Sequence, residues 1–489
     1  MSSRKTIINV FIYTGFNFLQ KGSAFLLIPI YTRYLSTEEY GVVGIVLSVT
    51  SLLYIFFSLS LDSTIIRFYF NYTNDKDYHK NLYGSINSIL LIATSFSLIS
   101  FALAKDWVFR PIFQDIPLYP YALIALIIVA ARPVFDIYQK ILRARQEALR
   151  YALQNFTKFA TRTLIILILV ILFHQGASGV LMGYAIAGVA FFFISGLILQ
   201  RSYGLRWNPS ILKECFSYSL PLIPNKIAGL FQDPINKVLI NLLKSTSATG
   251  LFHVGSQVGS LVTLTIQSVN EAYLPWCFEQ LENYNDAGKR RVVRISKTLL
   301  IMFSTFALIS TLFCMEIFDL VAYGNFSQAW IVFPFFAFWA VFNFVKNVWL
   351  LPLQYNKRGV KYAPIATYVN LLSTVIMSVI LIPLVGIIGA GVSILISRIC
   401  SSFVMMYFSK RIENIGHIAW EIYTFPIGMF ILSTVVFLPF PQLFYVKLTL
   451  GICASLFAYW FIRDDISLIY KLLMARRRPE QEDIVEAIK

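Results

Sequence analysis

The sequence predicts an all-α polytopic membrane protein of about fourteen transmembrane helices, on three observations. The first is composition: 57% of residues are hydrophobic and 13% charged, with a mean hydropathy of +0.67. A soluble domain carries roughly 25% charged residues to cover its surface. The second is clustering: the apolar residues come in runs of about 20, the length at which a helix crosses roughly 30 Å of hydrocarbon. A helix also satisfies its own backbone where no water can. The third is the uneven placement of Lys and Arg between those runs.

The expected spans are 6–31, 40–62, 82–103, 119–142, 152–173, 179–199, 214–242, 248–273, 298–320, 329–353, 362–383, 387–408, 418–440 and 444–462. Arg4 and Lys5 precede a first run that is long and lacks a small-residue cleavage site, so it is expected to remain as a span. Threaded through fourteen spans, one side collects 28 Lys and Arg, including Lys140, Arg143, Arg145 and Arg150 and the run from Lys289 to Lys297. The other side collects 5: Arg33, Lys105, Arg110, Lys244 and Lys447. Both termini are therefore expected in the cytoplasm. The net charge of +16 then reflects this bias and contact with anionic lipid, not a nucleic-acid surface. Five cysteines (Cys215, Cys277, Cys314, Cys400, Cys453) fall in helices at no metal or disulfide spacing, and no cofactor is expected.

An internal repeat divides the chain. Ser36, Thr37 and Gly41 recur as Ser245, Thr246 and Gly250 at an offset of 209, and Asp62 falls on Glu271 at that offset. Arg150-Tyr151-Ala152 recurs as Lys361-Tyr362-Ala363 at 211, and Gly176 and Gly179 as Gly386 and Gly389 at 210. Two parallel six-helix repeats follow: an N-lobe at 1–205 and a C-lobe at 206–412. Two extra helices at 413–465 and a charged cytoplasmic tail at 466–489 complete the expected organisation.

Eight basic residues lie well inside spans: Lys21, Arg132, Lys158, Arg162, Lys226, Lys237, Lys346 and Arg398. Each costs roughly 2.5–3.5 kcal/mol near the bilayer centre, so they must face partners or a wet cavity. Arg132 and Asp136 are four apart, as are Asp233 and Lys237, with Lys226 seven before Asp233 on one stripe. Lys158 and Arg162 are also four apart, with Asn155 on their stripe and no acid beside them. For any one of these, snorkelling to a headgroup or a structural ion pair is the bland account. Taken together, the excess of cations points to an anionic, phosphate-bearing solute in a cationic cavity. Pro221, Pro224 and Pro234 mark the seventh span as kinked.

Further residues carry a family resemblance. Arg33-Tyr34-Leu35-Ser36-Thr37-Glu38-Glu39-Tyr40-Gly41 resembles the first periplasmic turn of the polysaccharide-transport (Wzx-type) oligosaccharide flippases. These belong to the multidrug/oligosaccharidyl-lipid/polysaccharide exporter superfamily. Ser58-Leu59-Ser60-Leu61-Asp62-Ser63-Thr64-Ile65-Ile66-Arg67-Phe68 is similar to that family's second-span exit, with Ser60 where Gly is usual. Leu142-Arg143-Ala144-Arg145 and Gly386-Ile387-Ile388-Gly389-Ala390-Gly391 are similar to later landmarks. The resemblance implies two six-helix bundles in a V around a central cavity. It also implies an undecaprenyl-diphosphate-linked oligosaccharide as cargo, flipped from the inner to the outer leaflet by alternating access. Asp62, Arg67, Asp136, Asp233 and Glu271 are the candidates for gating or ion coupling, with Asp62 in a salt bridge to a basic residue such as Arg67. Implied partners are the lipid-linked glycan, membrane lipids, and a polysaccharide polymerase with its chain-length machinery; a monomer is expected.

The outer loops of about 5–15 residues leave no room for a catalytic domain, and only His79, His174, His253 and His417 are histidines. An enzyme is therefore not expected. A lipid II-type peptidoglycan precursor flippase and a drug/cation antiporter of the same superfamily remain as alternatives.

Overall fold

The computed structural model describes residues 15, 25, 27–71, 75–283, 285–355, 359–412, 421–437 and 443–463. These residues are helical throughout, joined by short turns, with no strand among them. In chain order the first helices are α1 (Ile28–Tyr34), α2 (Thr37–Ser58), α3 (Asp62–Asn71), α4 (Lys76–Leu103), α5 (Lys105–Phe113) and α6 (Leu118–Ala130). Then come α7 (Arg132–Ala144), α8 (Ala148–Leu167), α9 (Gly176–Tyr203), α10 (Pro209–Ser219), α11 (Ile223–Leu243) and α12 (Thr246–Asn283). The last are α13 (Asn285–Leu312), α14 (Cys314–Val321), α15 (Phe333–Tyr355), α16 (Ala363–Val385), α17 (Ile387–Ile412), α18 (Glu421–Phe437) and α19 (Phe444–Ile462).

Ten stretches among the described residues are long and apolar enough to cross a membrane, which makes the chain a multi-pass membrane protein. They coincide with ten of the fourteen expected spans. The first expected span lies mostly outside the described residues. Within the seventh and thirteenth, the described residues include the shorter apolar helices Pro234–Leu243 and Ile422–Thr434. The eighth corresponds to α12, a 38-residue helix whose apolar character is diluted by His253, Gln257, Gln267, Asn270 and Glu271. Polar side chains on a spanning helix lower its hydropathy where they serve something other than lipid.

Backbone packing divides the chain into two units. Unit 1 is Met1–Val254 with Val321–Ala329 and Asn370–Ser393; unit 2 is Gly255–Leu320 with Trp330–Val369 and Ile394–Lys489.

In unit 1, one apolar core joins α2, α5, α6 and α9 through residues such as Val46, Phe57, Phe113, Ala125 and Leu181. A second joins α3, α4, α7 and α9 through Ile65, Tyr83, Ile141 and Leu199. In lipid such packing rests on close fit rather than on water exclusion, so small residues matter. The start of α2 is a capping box: Glu39 N–H donates to Ser36 Oγ at 3.1 Å and Ser36 N–H donates to Glu39 Oε2 at 2.9 Å. The related start of α12 is capped by Ser245, whose Oγ accepts from Ala248 N–H at 3.1 Å.

These two repeat-related starts pack reciprocally on one another. A Cβ at Gly41 would collide with the Thr246 carbonyl, and a Cβ at Gly250 with the Thr37 carbonyl. The Thr37 and Ser247 hydroxyls share a hydrogen bond of 2.7 Å across the seam. The end of α2 is marked by Leu59 and Ser60, both with positive φ (48° and 58°). That bend puts Asp62 in the first turn of α3, where the helix dipole favours a carboxylate.

In unit 2, α12 and α15 approach where Gly259 faces Phe336, whose side chain a Cβ there would strike. Phe344 packs edge-on against Phe303 at 4.9 Å between ring centroids. On α14, Glu316 accepts from the buried Lys447 Nζ at 2.7 Å.

Candidate functional site

The bend after α2 gathers charge in unit 1. Lys226, on α11, donates from Nζ to Asp62 Oδ1 at 2.6 Å. Lys140, on the third turn of α7, reaches Asp62 Oδ2 at 3.9 Å. At the other end of α7, Arg132 donates from Nε to Asp136 Oδ2 at 3.0 Å. Its guanidinium also lies over Tyr54 of α2, 4.3 Å from the ring centroid, and within electrostatic reach of Asp62. Pro133 at the first turn of α7 fixes the start of that helix and so the place of Arg132.

The cations of α8 are held by aromatic rings. Lys158 Nζ lies 3.6 Å from the Phe135 ring centroid, and Arg162 lies 4.4 Å from that of Tyr184 on α9. Arg132, Asp136 and Arg162 are all within electrostatic reach of Lys158. A ring face holds a cation without neutralising it. The cluster therefore sets five cations (Arg132, Lys140, Lys158, Arg162, Lys226) against two carboxylates, Asp62 and Asp136. On the same face of α8, Asn155 Nδ2 donates to Gln139 Oε1 at 2.6 Å.

The remaining candidates lie elsewhere. Lys237 is buried in α11, within electrostatic reach of His253. In unit 2, Arg398 is buried and its guanidinium lies 4.6 Å from the Trp339 ring centroid; Lys346 is within its electrostatic reach. Glu271 accepts from Gln267 Nε2 at 3.2 Å. Lys21 and the Asp233 side chain lie outside the described residues.

One expectation about pairing is corrected. Asp62 is engaged by Lys226 and Lys140 and not by Arg67, which stacks 4.4 Å from the Tyr218 ring centroid. Residues five apart on a helix point to different sides, so α3 separates the two. Lys226 finds an acid on α3; the Asp233 side chain of its own helix lies outside the described residues. Lys140 had counted only as a loop charge, and Tyr54 carried no polar signal at all. The burial of Lys447 against Glu316 was equally hidden, because its partner lies 131 residues away.

A family model described as polysaccharide biosynthesis protein matches residues 7–281, more than half of the chain. The chain belongs to the polysaccharide biosynthesis protein family. Among curated relatives of this family member, a protein of the lsg locus of Haemophilus influenzae is 22% identical over 266 residues. That match takes in 53% of this chain and spans only 62% of the Haemophilus protein's length. The capsular polysaccharide biosynthesis protein CapF of Staphylococcus aureus is 24% identical over 415 residues, 81% of this chain and 97% of that protein.

Among solved structures, the lipid II flippase MurJ in an inward closed conformation superposes with a TM-score of 0.72 at 13% identity, over 93% of this chain and 99% of that one. An inward-facing multidrug resistance MATE family transporter of the MOP superfamily gives 0.62 at 14% identity, over 80% and 94%. At these identities the likeness is one of fold: this polysaccharide biosynthesis protein shares the helical architecture of these two solved structures.

Proposed function

We propose that this protein is a flippase that moves an undecaprenyl-diphosphate-linked oligosaccharide from the inner to the outer leaflet of the cytoplasmic membrane. The cargo would serve surface polysaccharide synthesis, and movement would follow alternating access between lobes at 1–205 and 206–412. The observation that carries the reading is the cation excess of the Asp62–Arg162 cluster. A diphosphate is a compact dianion that Lys and Arg bind through charge-assisted hydrogen bonds. Lys158 and Arg162, held by rings rather than by carboxylates, are the groups proposed to meet it first. Asp62 and Lys226 join α3 to α11, and their ion pair is proposed as a gate latch. Arg132 and Asp136 position the cluster against α2. Lys21, Lys237, Lys346 and Arg398 are proposed as further cationic contacts, and Arg67, Asp233 and Glu271 as gating groups.

The family membership supports a role in polysaccharide synthesis. The cation excess speaks against a drug cation, for which an acidic cavity is the complementary design. The test is a gene-deletion host supplied with Lys158→Ala/Arg162→Ala, scored for surface polysaccharide and for lipid-linked glycan trapped on the inner leaflet. Loss of at least about 90% of surface polysaccharide is expected, since each lost phosphate contact is worth about 1.5–3 kcal/mol. Full activity of the double variant at normal membrane abundance would sink the reading. Accumulation of a peptidoglycan precursor instead would move the assignment to the lipid II-type alternative.

A further inference from the structure

We propose that the facing sides of α7 and α8 form a phosphate ladder, which receives the head group of the cargo at Arg143 and passes it on to Lys158 and Arg162; this rests on the flippase reading above. Three rungs join the two helices. Arg143 donates to the Tyr151 hydroxyl and lies 4.5 Å from that ring's centroid. One turn along, Asn155 Nδ2 donates to Gln139 Oε1 at 2.6 Å. One turn further, Lys158 Nζ lies 3.6 Å from the Phe135 ring centroid. Positions fall from 143 to 135 on α7 as they rise from 151 to 158 on α8, so the helices run antiparallel and the rungs line one seam. Arg162, four residues beyond Lys158, continues the line on α8.

Three features point to a phosphate. The first is how the cations are held. Around the turn after α7 stand Arg143, Arg145 and Arg150, and Glu147 engages two of them, Arg145 at 3.7 Å and Arg150 at 2.8 Å. Arg143 has a tyrosine instead, and among the described residues no carboxylate pairs with it. A ring leaves the charge available, and a guanidinium takes a phosphate through two parallel hydrogen bonds. Lys158 and Arg162 are held by rings in the same way at the other end. The second feature is Gln139, which is 6% exposed. Its oxygen is taken by Asn155, and its Nε2 has no hydrogen-bond partner among the described residues. A buried donor left unpaired costs about 1–3 kcal/mol. This one stands between the two cationic ends, where a phosphate oxygen is the acceptor it lacks.

The third feature is the repeat. At the offset of 211 that relates Arg150-Tyr151-Ala152 to Lys361-Tyr362-Ala363, Asn155, Lys158 and Arg162 correspond to Ala366, Val369 and Ser373. The second copy of this helix carries small or apolar residues at the same places, so the helix has no structural need of an amide and two cations there. Arg143 and Phe135 are eight residues apart on α7, about 12 Å along its axis, too far for one diphosphate to touch both ends. The ends are therefore successive stations. Within the cluster Lys158 and Arg162 meet the diphosphate first; Arg143 stands outside the cluster, on the side expected to be cytoplasmic, and receives the head group before it. The ladder also separates the two arginines of Leu142-Arg143-Ala144-Arg145: the first contacts cargo, and the second ties the turn to Glu147.

The test measures association and dissociation rates of synthetic undecaprenyl diphosphate with the full chain in phosphatidylcholine nanodiscs. Arg143→Ala is expected to slow association at least about tenfold, the lower end of what electrostatic steering contributes, and to change dissociation less than about twofold. Lys158→Ala/Arg162→Ala is expected to do the reverse, with dissociation at least about tenfold faster and association within about twofold of wild type. Arg145→Ala, whose cation Glu147 already engages, should leave both rates within about twofold. Gln139→Glu keeps an acceptor for Asn155 Nδ2 and replaces the free donor by a charge that repels phosphate. It should slow association as much as Arg143→Ala does, at an unchanged melting temperature, which separates binding from a folding defect. Wild-type association in Arg143→Ala, or equal slowing in Arg145→Ala, overturns the ladder and leaves the flippase reading standing. Association in phosphatidylglycerol nanodiscs as slow as that of Arg143→Ala in phosphatidylcholine gives the first station to phospholipid head groups and overturns the ladder too. A wild type that binds the diphosphate no better than undecaprenol overturns the flippase reading, and the ladder falls with it.

Discussion

Ser60 is fully buried, adopts φ +58° and leaves its hydroxyl without a hydrogen-bond partner among the described residues. A left-handed conformation costs a non-glycine residue about 1–2 kcal/mol, and glycine gives back part of that gain in unfolded-state entropy. Ser60→Gly is therefore expected to raise stability by roughly 0.5–1 kcal/mol, read as a higher melting temperature of the detergent-solubilised protein. The Lys447–Glu316 pair predicts the opposite kind of effect. Lys447 is 2% exposed and Glu316 42% exposed, so Glu316→Gln removes the carboxylate to which the buried ammonium donates. That should cost about 2–3 kcal/mol. Adding Lys447→Met should recover most of the loss, and absence of recovery would show that the pair is not coupled.

At the scale of elements, the seam between α2 and α12 depends on two glycines that leave room for each other's neighbouring carbonyls. Gly41→Leu or Gly250→Leu forces the helix starts apart and is expected to cost about 2–3 kcal/mol of stability. Because Thr37 Oγ1 and Ser247 Oγ are 2.7 Å apart, Thr37→Cys/Ser247→Cys in a cysteine-free background should form a disulfide on mild oxidation. The crosslink shows as altered mobility of a chain cleaved in the loop after α9. Failure to crosslink would contradict the reciprocal packing. The seam also gives physical content to the repeat, since Gly41 and Gly250, which match at an offset of 209, each pack against the threonine (Thr246 or Thr37) that opens the other copy.

For the whole molecule, the lopsided distribution of Lys and Arg fixes an expected orientation. Single cysteines at Ala287 and Ser327, again in a cysteine-free background, test it. Ala287→Cys should react with an impermeant maleimide only after the membrane is opened, and Ser327→Cys in intact cells. The reverse pattern would invert the topology. Much of this architecture was legible in the sequence, because the bilayer imposes one length and one backbone solution on every span. On α12, the eighth expected span, His253, Gln257, Gln267 and Asn270 interrupt the apolar pattern and dilute the hydropathy that betrays a span.

By itself the sequence determined helical class and the identity of the cations that must be accounted for, and it set the expectations of orientation and internal duplication. It did so because burial of charge in lipid is costly enough for each such residue to stand out against an apolar background. The tertiary structure alone decided which partners those cations have. Asp62 turns to Lys226, 164 positions away, rather than to Arg67 on its own helix. Arg162 finds a tyrosine ring instead of an acid. Side chains on a helix meet only neighbours three or four apart, so partners contributed by other helices leave no trace in local spacing. The cation excess around Asp62 arises from such long-range meetings.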